Sequence, residues 1–182
     1  FPVAVALIIA GLSFRITAVP FHFYAPDVFQ GSPAFAAGML SLIPKIVGFA
    51  ALIRLQSISV SGGSFDGHME LLSSMVKPLL VMLAALTMLV GNLMALRQSN
   101  IHRMMAYSSV AHAGYMLVGL AVGDHGAMST GISSLLFYLV NYGVMTLGVF
   151  AVLCAISSAD RPVRTLNDLG GMSRHHPAAA LM

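Results

Sequence analysis

Charge is what this sequence has least of. Of its 182 residues, 8% are Asp, Glu, Lys or Arg and 58% are hydrophobic. A soluble domain carries about 25% charged residues. So little charge cannot coat a water-facing surface, which excludes an ordinary soluble domain and leaves an integral membrane chain. Cysteine is nearly absent as well. Cys154 stands alone inside an apolar run, so no disulfide framework forms within the chain and a packed thiol is expected. No Cys/His cluster has metal spacing, and no Walker or dinucleotide loop is present; Gly62-Gly63-Ser64 reads as a flexible loop. Sites for metal, haem, flavin or nucleotide are therefore not expected, and movement of protons or other small cations is. Also missing is alternation over about ten residues, the mark of a membrane β-barrel. The formal net charge is +3, with the positive residues in connecting segments, a pattern of membrane orientation and not of nucleic-acid binding. No charged stretch precedes the first apolar run, so no signal peptide is expected. Apolar sequence at both ends reads as a fragment of a longer protein.

What is present is a series of long apolar runs. About 20 apolar residues cross a bilayer as a helix, and only helices or closed barrels satisfy the backbone there. The expectation is an all-α polytopic bundle forming a single transmembrane unit over 1–182. Its spans cover 2–28 (broken near Pro20), 34–55, 78–96, 101–122 and 129–156, and another starts at 177–182. The polar, glycine-rich stretch 56–73 reads as a loop. Five basic residues, Arg97, Arg103, Arg161, Arg164 and Arg174, fall on the side of the 29–33, 97–100 and 157–176 connections. Arg54 and Lys77 fall on the other. The positive-inside rule makes the arginine-rich side cytoplasmic.

Two cations lie well inside spans: Arg15 and Lys45. A charge at that depth costs about 3 kcal/mol on insertion scales. Snorkelling to the headgroups explains Arg54 and Lys77 at span ends better than these two. Intramembrane ionisable groups face a protein interior or a water-filled cavity. A lysine out of water can release and regain a proton near neutral pH, whereas arginine stays protonated. Lys45 is thus the candidate proton carrier, and Arg15 a fixed charge near a helix break. Pro20 and Pro44 lie beside these cations; each removes a backbone donor and is a candidate break, and discontinuous helices are used at transporter ion sites. In 101–122, His112 shares a helix face with Ser108 and Ser109. That set supports either a chain of waters with a titrating histidine or a packed histidine bonded to a neighbouring helix. Tyr138, Asn141 and Tyr142 add polar groups to the last full span, with helix-to-helix bonding as their first role; Tyr138 and Asn141 are also candidates, with Ser108 and Ser109, for a polar path. Gly114, Gly119, Gly143 and Gly148 fit close helix packing.

Two motifs carry a resemblance. Val19-Pro20-Phe21-His22-Phe23-Tyr24-Ala25-Pro26-Asp27-Val28-Phe29-Gln30-Gly31-Ser32-Pro33 resembles the broken-helix segment of the subunit N family of NADH-quinone oxidoreductase, respiratory complex I. Gly91-Asn92-Leu93-Met94-Ala95-Leu96-Arg97-Gln98-Ser99-Asn100-Ile101-His102-Arg103, with Ala106-Tyr107-Ser108-Ser109 and Ala111-His112-Ala113-Gly114-Tyr115, is similar to its next signature. The Ala-Pro-Asp-Val turn is closer to subunit N than to subunits L and M or to multisubunit cation/proton antiporters. The resemblance implies an antiporter-like bundle of fourteen helices on two inverted five-helix repeats. Here helices seven to eleven and the start of twelve would be present. It implies a central proton-relay lysine at Lys45. Position 15 would be a lysine in the family and is Arg15 here, and His102 stands where lysine is common. It further implies a multi-pass subunit of the bacterial cell membrane without cofactors of its own. NADH, FMN, iron–sulfur clusters and quinone would belong to partner membrane and peripheral subunits. A cation/proton antiporter or membrane-bound hydrogenase subunit of the same fold, or a mainly structural subunit, is the alternative.

Overall fold

The computed structural model describes residues 2–61, 68–122, 128–157 and 163–170, and within them the named elements are all helices. α1 is Pro2–Arg15 and α2 is the short Ala25–Gly31. α3 is Ala34–Ser61, α4 His68–Leu96, α5 Ile101–Val122 and α6 Met128–Ile156. A 3-10 turn, Leu166–Leu169, follows. Four helices, α3 to α6, are long and apolar enough to cross a membrane. α1 is too short to do so alone, since 14 residues rise about 21 Å. With the turns after it and α2, it makes the broken first span that was expected.

The break runs from Ile16 to Tyr24 and contains Pro20, after a cis Val19–Pro20 bond. Its freed backbone groups find partners, as membrane depth demands. Ala18 donates to the Ser13 carbonyl at 2.8 Å and Thr17 to that of Phe14. The Tyr24 hydroxyl also donates to Phe14, at 3.0 Å. The Val19 N–H donates to Thr87 Oγ1 on α4 at 3.1 Å. Thr17 takes a left-handed conformation, φ 63°.

Several expected boundaries are corrected. α3 continues six residues beyond 55, and α4 begins at His68, so much of the stretch read as a loop from its polarity is helix. Long helices tolerate polar residues where they leave the apolar zone. Pro78, read as a starting residue, is interior to α4. Pro44 lies inside an unbroken α3, so no helix break forms there. Residues 177–182 and the loop motif Gly62-Gly63-Ser64 lie outside the described residues.

α5 is the hub: it packs on α2, α3, α4 and α6. Glycines let α4 approach it at backbone distance. A Cβ on Gly91 would sit 2.7 Å from the Ala111 nitrogen, and one on Gly114 2.8 Å from the Met88 nitrogen. The end of α1 and the residue after it lie against α3 at Gly48, where a Cβ would clash with the Ile16 side chain. Two apolar clusters fill the bundle. The larger holds Phe49, Leu52, Met116, Leu117, Leu120 and Leu135; the smaller, towards the connecting-loop end, holds Phe29, Ala37, Ile101, Ala106, Phe150, Leu153 and Val163. At that same end Ile101 donates to the Arg164 carbonyl at 2.9 Å and Leu166 to that of Ser99 at 3.1 Å. Arg103 joins it through an ion pair with Asp27 at 2.9 Å.

Candidate functional site

Lys45 occupies the middle of α3 and is 2% exposed. It sits between the two apolar clusters, with α5 and α6 closing over it. Its Nζ donates to the Ser109 carbonyl at 2.6 Å and makes a short contact with Ser109 Oγ. The Tyr142 hydroxyl is 3.2 Å away, and Nζ lies 4.7 Å from the centre of the Tyr142 ring. That hydroxyl in turn donates to Ser109 Oγ at 3.0 Å, with Thr146 a further hydroxyl neighbour one turn along α6. Three helices thus build a closed loop of ammonium, serine and tyrosine. Among the described residues, the partners of Nζ are neutral oxygens and a π-face, with no carboxylate among them. The carbonyl and hydroxyl lone pairs accept from an ammonium, while the tyrosine hydroxyl can donate to a neutral amine. Both protonation states therefore find partners without rearrangement of the helices.

His112, one turn beyond Ser109 on α5, adjoins this loop. Its ring centre is 5.2 Å from that of Tyr142. Its Nδ1 is 2.7 Å from the Tyr138 hydroxyl. Tyr115 lies beside it, ring centres 5.8 Å apart, and accepts from Asn92 of α4 at 3.1 Å. The polar groups thus form a connected row: Lys45, Ser109 with Tyr142, His112, Tyr138, Tyr115, Asn92.

Sequence and fold comparisons agree. Residues 2–182 match the family described as NADH:quinone oxidoreductase/Mrp antiporter, transmembrane. The chain belongs to that family. It is 42% identical to NADH-quinone oxidoreductase subunit N of Trichlorobacter lovleyi, over 96% of this chain and 33% of that protein. It thus spans about a third of the curated relatives it matches. Its fold is similar to a chain of respiratory complex I from Thermus thermophilus with bound aureothin, TM-score 0.73 at 35% identity, covering 100% of this chain and 36% of that one. It is also similar to a chain of the Mrp complex from Dietzia, TM-score 0.80 at 25% identity, covering 98% and 31%. The antiporter-like helix bundle and the multi-pass membrane placement follow from these likenesses and from the four long apolar helices.

Within this antiporter family fold, the residues singled out from sequence divide into two groups. Lys45, Ser109, His112 and Tyr138 come together. Ser108 is only half-buried, one residue and about 100° of helix away from Ser109. Asn141 is exposed on α6 and is not brought into the row. Arg15 ends α1, and its side chain is exposed in this chain; its stem passes 3.6–3.7 Å from where a Cβ on Gly48 would lie. Pro20 is in the break and Pro44 is inside a continuous helix. Tyr142 is the residue whose place at Lys45 the sequence did not disclose. Among the described residues no group of three or more His, Cys, Asp or Glu could hold a metal.

Proposed function

We propose that this chain is the central part of a proton-translocating membrane subunit of NADH-quinone oxidoreductase, of the subunit N type, in a bacterial cell membrane. Lys45 is the proton carrier, with Ser109 and Tyr142 holding it and His112 next in line. Arg15 supplies a fixed charge at the break of the first span. NADH oxidation and quinone reduction, with FMN and iron–sulfur clusters, occur in partner subunits, and their changes drive protons through this one. The observation that carries the reading is the buried Lys45 amine surrounded by neutral oxygens. A structural cation at this depth would be paired with a carboxylate, because leaving a buried charge unpaired costs about 3–5 kcal/mol. A carrier must be able to exist without its charge.

The test is proton pumping per electron by the full-length subunit in its assembled complex. Lys45→Met removes the amine and Lys45→Arg keeps a charge that cannot be released. Both should assemble and both should pump poorly. Normal pumping by Lys45→Arg would make the charge, and not its release, the function. The likeness to the Mrp complex supports a second reading, a cation/proton antiporter. Sodium-dependent proton exchange with no dependence on NADH would select it.

A further inference from the structure

The break of the first span is held in two unlike ways. Against α3 it is held by packing. Ile16 and Ala18 are wholly buried. The Ile16 side chain fills the space beside Gly48, where no Cβ fits. Gly48 is one turn from Lys45 on α3, and the Arg15 stem lies against the same glycine. Packing of this kind sets how near the break comes but gives it no direction, because apolar burial is non-directional. Against α4 the break is held by a hydroxyl.

That hydroxyl belongs to Thr87, wholly buried on α4. Its Oγ1 donates its single proton to the Leu83 carbonyl of the same helix at 2.5 Å. A lone pair of the oxygen is left to accept from the Val19 N–H, 3.1 Å away. Val19 lies beyond the end of α1 at Arg15, and a donor left unpaired at membrane depth is costly. Among the described residues, the other hydrogen bonds of the break close within the first span: Ala18 on Ser13, Thr17 and Tyr24 on Phe14, Phe21 on Ala18. Two residues before Val19, Thr17 has φ 63°, a left-handed conformation rare for a β-branched residue. Such a conformation persists only where its surroundings over-determine it. The Val19–Thr87 bond is a directional part of those surroundings. α4 is in turn locked on α5: Gly91, one turn from Thr87, meets Ala111, two residues from Ser109. The hydroxyl therefore joins the break to the helix pair that carries the acceptor of the Lys45 amine.

We propose that Thr87 is a positioning residue for proton transfer, its hydroxyl fixing the register of the break, and with it the Arg15 charge, against the helices that hold Lys45. This rests on the reading of Lys45 as the carrier and of Arg15 as a fixed charge. Thr87 itself handles no proton in transit. What its place requires is an oxygen that donates to Leu83 and accepts from Val19. Serine supplies that oxygen; valine has nearly the shape of threonine without it.

The experiment uses the full-length subunit in its assembled complex, carrying Thr87→Val, Thr87→Ser, Arg15→Ala, or Thr87→Val with Arg15→Ala. Hydrogen exchange of the Val19 amide is followed in the purified complex, and protons per electron in vesicles. Loss of one such bond should speed Val19 exchange about fivefold to tenfold in Thr87→Val. Thr87→Ser should exchange at the wild-type rate. Pumping should follow the same order, falling in Thr87→Val and held in Thr87→Ser. Because both changes act on one charge, the double variant should pump no worse than Arg15→Ala, whereas independent changes add. If Thr87→Val fails to assemble, Thr87→Cys, whose thiol is a weak acceptor, takes its place and should shift both quantities in the same direction. Exchange unchanged in Thr87→Val, equal losses of pumping in the valine and serine variants, or losses that add in the double variant overturn the proposal. So does faster exchange with pumping intact. Normal pumping by Lys45→Arg sinks the functional reading instead, and the exchange rates tell the two failures apart.

Discussion

Tyr142→Phe isolates one oxygen of the Lys45 site. The ring stays beneath Nζ, 4.7 Å from its centre, while the hydroxyl that touches Nζ and donates to Ser109 is lost. One such bond contributes about 1 kcal/mol, so the fold should survive. The expected outcome is pumping reduced but not abolished, and reduced less than by Lys45→Met, measured as protons per electron in vesicles. Pumping unchanged from wild type would leave Tyr142 a packing residue. At this scale the sequence was partly legible, and the reason is physical. Lys45 could be found because a charge amid apolar residues is a local fact. Tyr142 could not, because its place depends on α6 lying against α3 and α5, and nothing in its own neighbourhood says which face turns inward. Asn141 shows the same limit from the other side. It precedes Tyr142 in sequence, yet a step of about 100° on the helix carries it outward.

Among the elements, the 163–170 segment behaves as a strap. It is tied to the start of α5 by the Ile101–Arg164 and Leu166–Ser99 bonds and anchored by Val163 in the smaller apolar cluster. Asp168 organises it, accepting from the Arg164 and Thr165 N–H groups at 3.0 and 2.7 Å. Those bonds hold its carboxyl below the ordinary carboxylate range. A carboxylate with a depressed folded pKa stabilises above its unfolded value and loses that stabilisation as pH falls through the folded one. The strap should therefore hold through neutral and mildly acidic pH and loosen only below about pH 4. Asp168→Ala should speed hydrogen exchange at the Leu166 amide at neutral pH. No change there would show that the α5 bonds suffice alone. A second element-level outcome concerns the α4–α5 seam. Gly114→Val places methyl groups where a Cβ already meets the Met88 nitrogen at 2.8 Å. Overpacking of this kind costs about 1–3 kcal/mol. The thermal midpoint of the solubilised complex should fall, and an unchanged midpoint would mean that the helices slide apart freely. Gly114 was readable as a packing glycine from sequence. Gly91, which meets Ala111 elsewhere along the seam, was not, because the α4–α5 register is set by the tertiary fold.

For the molecule as a whole, the arrangement of ends is what the bundle determines and what the basic residues orient. The Asp27–Arg103 pair, the Ser99–Leu166 bond and a cavity lined by Gln30, Asn100 and Arg164 bring the 29–33, 97–100 and 163–166 segments to one end. This agrees with counting alternate spans from the sequence. The count was legible because apolar length is additive along the chain; the extra turns of α3 and α4 were not, because polar residues in a helix look like loop until the backbone is seen. Orientation then rests on charge alone. Arg97, Arg103 and Arg164 lie at the loop end, with Arg161 and Arg174 in the same connection by sequence, against Arg54 and Lys77 at the other. Basic residues flanking spans are retained on the cytoplasmic side. The expected outcome is that a cysteine at Asn167, placed in a Cys154→Ser background of the full-length subunit, is labelled by a membrane-impermeant maleimide only in inside-out vesicles. A cysteine at Ser64, in the connection between α3 and α4, should label only in right-side-out cells. Labelling of both from one face would refute the span count, because an odd number of crossings between them is what puts them on opposite sides. Opposite faces in the reversed sense would leave the bundle intact but turn it over.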